Sequence, residues 1–174
     1  MRQLTNLEIE RIKLLTEKSV EVTLIEPTGT GLEKSIMDAT GSVRAYLKDK
    51  NIHDYELQNQ GQESKIQVNS YLVSSDGLIQ SVASLYRPNT KKGDPRIWFK
   101  GLGNYAKAND ILGIISYDNT LYVVNVTKLN FESLINSLTN NPLKELVNEI
   151  SSLSREVADE LLLMLRKIAE RGAI

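Results

Sequence analysis

The chain of 174 residues has no cysteine, a single histidine (His53), one tryptophan (Trp98) and four prolines. The missing thiols exclude disulfides, thiolate chemistry and sulfur-ligated zinc, and one imidazole is too few for a histidine-built centre, so any metal would sit on oxygen ligands. No apolar run comes near the ~18 residues of a membrane span. The opening, Met1 to Lys13, is charged and amphipathic, without the apolar stretch of a secretory signal, so the expected setting is cytoplasmic with no membrane partner. Charge of one sign is lacking too: 21 basic against 22 acidic residues leave −1, so a charged partner must be met by a local patch. What is present is ordinary globular material, 41% hydrophobic and 25% charged, enough for one core and an appended helical piece.

Thr5 and Glu8 have capping-box spacing, and the apolar positions that follow predict a helix over 6–18. Residues 20–25 alternate as a strand and end in the turn Pro27 to Gly31; a helix from Leu32 to about Lys50 follows, broken near Gly41. Strands are expected at 53–58, 65–74, 78–86, 96–99, 111–116 and 121–126, with Asp76-Gly77 and Asp118-Asn119 as tight turns. Asn130 and Asn141-Pro142 are helix-start signals, and threes-and-fours spacing from Leu146 to Ile168 gives a long amphipathic helix. The expected architecture is α+β: a curved mixed sheet or pseudobarrel of about seven strands with flanking helices. It divides into a body at 1–138 and a helical tail or connector at 139–174, whose 142–171 helix offers a homodimer seam.

Charge is polarised along the chain. Between Tyr86 and Lys107, six cations stand against Asp94, a local +5 that leaves −6 on the other 152 residues. Arg87, Asn89, Thr90, Lys91, Lys92, Arg96, Trp98 and Lys100 are of the types that bond phosphates, read base edges or stack on bases. Two prolines and a glycine stiffen this loop and lower its ordering cost on binding. The expected partner is double-stranded DNA. Lys34 and Ser35, beside a strand-to-helix turn, could hold one more phosphate. That turn is not a Walker loop, since Glu33 occupies the second glycine position. Adjacent strand residues face opposite ways, so one of Trp98 and Phe99 must point inward.

A second constellation is acidic. Asp54, Glu56, Glu63 and Lys65 include a Glu-x-Lys step, which with an upstream carboxylate can hold magnesium and orient an attacking water. In that alternative the chain is a magnesium-dependent endonuclease; otherwise it needs no cofactor. His53 reads as a hydrogen-bonded structural residue in preference to a base. A third alternative is a protein-interaction module working through the 142–171 helix.

Three strings carry a family likeness: Pro27 to Thr40 (PTGTGLEKSIMDAT), His53-Asp54-Tyr55, and above all Ser84 to Phe99 (SLYRPNTKKGDPRIWF). With Asn109 to Leu112 and Leu121 to Thr127, they make residues 20–130 resemble the amino-terminal module that precedes the catalytic domain in some MvaI/BcnI-type Type II restriction endonucleases. The stretch Glu160 to Gly172 is similar to the helix that opens the nuclease domain there. The resemblance implies target recognition in restriction-modification, a defence against foreign DNA, with hydrolysis by a downstream domain. Laid instead on the nuclease signature Asp-x-x-x-x-Glu-x-Lys, residues 51–58 supply Glu56 but have Asn51 for the aspartate and Gln58 for the lysine. That alignment implies a degenerate active site.

Overall fold

The computed structural model describes residues 1–17, 21–74 and 77–128. Helix α1 spans Asn6–Glu17. Its capping box is reciprocal: the Glu8 amide donates to Thr5 Oγ1 at 3.3 Å, and the Thr5 amide donates to Glu8 Oε2 at 2.8 Å. Strand β1 is Thr23–Ile25, and α2, Gly29–Lys34, is capped by Thr28 and closed by Ser35 in the left-handed region. Strand β2 is only Met37–Asp38 and α3 is Gly41–Asp49. Then come β3 (Ile66–Ser74), β4 (Gly77–Tyr86), β5 (Arg96–Phe99), the short helix α4 (Leu102–Tyr105), β6 (Leu112–Tyr117) and β7 (Thr120–Asn125).

Among the described residues these strands form one mixed sheet in the order β1-β6-β7-β3-β4-β5-β2, curled into a half-barrel. Only β3 and β7 are parallel; every other pairing is antiparallel. One face carries Leu72, Ala83, Leu85, Ile97, Phe99, Ile114, Leu121 and Val123, which pack with Val43 and Leu47 of α3 into the main core. Val73, Ile115, Tyr122 and Val124 point the other way into a second cluster with Leu15 of α1. Tyr105 closes the parallel seam: its hydroxyl lies within 2.9 Å of the Val73 and Val123 carbonyls and accepts the Asn125 amide at 2.8 Å.

Two expectations are corrected. The helix from Leu32 to Lys50 is in fact α2, β2 and α3: Ser35 ends the first, β2 pairs with the open edge of β5, and Thr40 caps α3. The strand at 53–58 is a set of turns in which Tyr55 is buried and its hydroxyl donates to the Arg96 carbonyl at 2.8 Å. The seven strands therefore include β2 in its place. The helices expected from Asn130 onward, the 142–171 seam and the 139–174 tail lie outside the described residues, as does the start of the 20–25 strand.

Ser70 Oγ in β3 is buried without a hydrogen-bond partner among the described residues. Removing an unsatisfied hydroxyl removes its desolvation cost, so Ser70→Ala is expected to leave stability unchanged or raise it by up to about 1 kcal/mol. Urea unfolding checks this, and a loss of that size would reveal a bond the hydroxyl makes.

Candidate nucleic-acid interface

Register places three rows of side chains on the face of β3–β4–β5 opposite the main core. Tyr86 lies across from Arg96, Gln67 from Ser84 and Trp98, and Asn69 from Val82, whose carbonyl accepts the Lys100 amide at 3.0 Å; Lys65, just before β3, stands beside Tyr86. Lys65, Gln67, Asn69 and Lys100 are exposed; Ser84, Tyr86 and Trp98 are half-buried. Phe99 is fully buried in the main core, whereas Trp98 faces the other way, half-buried, and still packs against the margin of that core. The Lys65 ammonium sits 5.8 Å from the Tyr86 ring centroid.

Two clefts border this face, with the end of α2 between them. One, of about 650 Å³, is lined by Leu32, Ser35, Gln67, Ser84, Trp98 and Lys100 among others, with no carboxylate in its wall. The other, of about 500 Å³, lies where the half-barrel fails to close. Ile25 of β1 and Met37 of β2 come from its two edges, and Lys34, Tyr86, Thr90 and Arg96 line it as well. Gly31 allows α2 to sit there, since a Cβ would lie 2.7 Å from the Ile36 carbonyl oxygen. The fold thus gathers Lys34, Ser35, Thr90, Arg96, Trp98 and Lys100 from distant parts of the sequence.

The basic loop itself is used differently from expectation. Arg87 holds it together: Nε donates to the Gly93 carbonyl at 2.9 Å, and Nη1 lies 3.4 Å and 3.3 Å from the carbonyls of Tyr55 and Gln58. Arg96 is 8% exposed and its Nη1 is paired with Asp38. The Arg87 guanidinium satisfies carbonyls of buried residues, and the buried Arg96 side chain is paired with the exposed Asp38 carboxylate, so neither stands as an unpaired solvent-facing cation. Asn89, Thr90 and Lys92 are exposed, and Lys91 begins the 3-10 turn Lys91–Gly93, in which Lys92 and Gly93 have φ of 56° and 73°. Among the described residues Lys34, Lys65, Lys92, Lys100 and Lys107 make no ion pair. The nearby acids are occupied: Glu26 accepts the Arg2 amide at 2.6 Å, and Asp38 takes Arg96.

The acidic constellation does not converge. Lys48 of α3 bridges Asp54 at 3.0 Å and Glu56 at 2.7 Å, and the Asp54 carboxyl is held below its ordinary value chiefly by that lysine. Glu63 lies in the separate 3-10 turn Gln62–Ser64, and Lys65 leads to Tyr86. No group of three or more His, Asp or Glu among the described residues is arranged to hold an ion. Gln58 is a structural bracket, donating to the carbonyls of Ser64 at 2.7 Å and Leu85 at 3.1 Å. His53 shares a hydrogen bond with Gln58 Oε1 at 3.1 Å, and burial pushes its pKa down.

Lys65, Gln67, Ser84 and Tyr86 belong to this face but were not read as DNA contacts from the sequence. Their signal was the polar period of two at 65, 67 and 69, which marks a solvated strand face but not what lies beside it. No family model, curated protein or solved structure matches the chain.

Proposed function

We propose that this chain binds duplex DNA as the target-recognition module of a Type II restriction endonuclease. The observation that carries it is the row of unpaired lysines, Lys34, Lys65 and Lys100, around Tyr86 and Trp98 on an otherwise acidic molecule. Lysines on one face neutralise phosphates while amides, hydroxyls and aromatic edges between them meet the grooves. Asn89, Thr90, Lys91 and Lys92 extend the footprint along the loop, and Arg87 keeps that loop in one shape. The sequence resemblance from Ser84 to Phe99 supports the restriction setting, and in that family cleavage belongs to a separate catalytic domain.

About four phosphate contacts imply a log–log salt slope near −4 for binding of mixed-sequence duplex. Fluorescence anisotropy across a salt series measures it. A slope near zero, or no binding at low salt, overturns the proposal.

A further inference from the structure

We infer that the cleft at the open seam of the half-barrel receives a cytosine extruded from the duplex, an inference that rests on the DNA-binding reading above. The cleft's charge differs from that of its rim. Its wall carries Lys34 and Arg96 against Glu26 and Asp38, a balance suited to a neutral group, whereas Lys65 and Lys100 on the adjoining face are unopposed and suit phosphates. Its volume, about 500 Å³, is that of a small-molecule site. The wall is apolar at Ile25, Ile36, Met37 and Pro88, and Tyr86, the cross-strand neighbour of Arg96, lines it too, so a planar base entering beside Arg96 has an aromatic side chain next to it.

Hydrogen-bonding groups choose the base. Asp38 and Arg96 are paired across β2 and β5, so their side chains leave the sheet on one side. The Arg96 side chain is nine-tenths buried, and beyond its Nη1 bond to Asp38 its other nitrogens make no hydrogen bond among the described residues. The Asp38 carboxylate is 74% exposed and keeps lone pairs for a second donor. Side by side they offer one acceptor and two donors, the pattern that guanine presents to cytosine. A cytosine in the cleft gives its N4 amino group to Asp38 and takes Arg96 on N3 and O2. Thymine, with an acceptor at O4, and the purines meet this triplet less completely. Extrusion costs unstacking, which the protein recovers through these bonds and the burial of the ring.

The test uses the full chain and hairpin duplexes with one nucleotide placed opposite an abasic site, so that the base is already unpaired. Affinity for the unpaired-cytosine duplex is expected to exceed that for the fully paired duplex, and for the same duplex with unpaired thymine, adenine or guanine, by about tenfold. Pyrrolocytosine at that position should change its emission on binding as it leaves the stack. Asp38→Ala, which removes the acceptor for N4 at an exposed side chain, should abolish the preference while paired-duplex affinity stays within about threefold, the retained affinity showing that the variant folds. Lys13→Ala, on α1 and outside both clefts, serves as the control variant in which the cytosine preference is retained. Equal affinity for paired and unpaired duplexes, or equal preference for all four bases, overturns the inference and leaves duplex binding standing. Failure to bind any duplex overturns both.

Discussion

Glu8→Gln is expected to destabilise the fold by about 3 kcal/mol at neutral pH, because a buried carboxylate that takes donors on both oxygens is replaced by an amide with one acceptor oxygen and an NH2 group facing those donors. Glu8 is 2% exposed although it sits in the first turn of α1. Its carboxylate receives Arg2 through both guanidinium nitrogens, the Thr127 hydroxyl at 2.5 Å, and the Thr5 amide and hydroxyl at 2.8 Å and 3.0 Å. Arg2 also donates to the Asn109 carbonyl, and Arg11 donates to the carbonyls of Val126 and Thr127, so α1 and the residues before it are fastened to the exit of β7. The Arg2 hydrogen bond, reinforced by Thr127 and Thr5, holds the Glu8 pKa well below the ordinary carboxylate range. A carboxyl depressed in the folded state contributes its stability above the unfolded value of 4.5 and loses it as pH falls towards the folded one. The wild-type advantage over Glu8→Gln should therefore be full at about pH 7 and shrink steadily below about pH 4.5. Urea unfolding of both proteins across this range measures it, and a gap independent of pH would show that Glu8 acts through shape alone.

Glu8 also marks what sequence reasoning can reach. Its place as the capping-box glutamate was legible from the Thr5-x-x-Glu8 spacing; its burial under Arg2 and Thr127 was not, because those partners meet only after α1 has docked on β7. Strand periodicity read β3 to β7 closely, since those runs are long and their core positions recur every second residue. It failed at β2, where two residues are too few for a period and the strand exists only because β5 has a free edge. It failed in the opposite sense at 53–58: His53, Tyr55 and Gln58 are buried by turns, which imitates part of an alternating pattern. Charge counting found the cationic segment but not the fate of each cation. Arg87 forks onto carbonyls and Arg96 places Nη1 on a carboxylate, uses to which a guanidinium is suited, while the lysines are left outside. Lys65 joined the face by standing near the Tyr86 ring, a neighbour that composition does not disclose.

That division between arginines and lysines sets the largest functional effect. The triple change Lys34→Ala, Lys65→Ala, Lys100→Ala is expected to weaken duplex binding about a hundredfold at 0.15 M salt and to flatten the salt slope from about −4 to about −1. Each phosphate contact contributes roughly fivefold through counterion release at that salt, and the three lysines act through separate phosphates, so their effects multiply. All three side chains are exposed and without ion pairs among the described residues, so thermal stability should stay within about 0.5 kcal/mol of wild type. Lys13→Ala on α1, where the cation is exposed but belongs to another part of the surface, should change affinity less than about twofold. The salt slope is what separates this outcome from damage to a groove contact, because losing a base-edge bond lowers affinity at every salt concentration and leaves the slope alone. A triple variant that keeps both its affinity and its slope would remove the β3–β4–β5 face as the place where the polyanion lies.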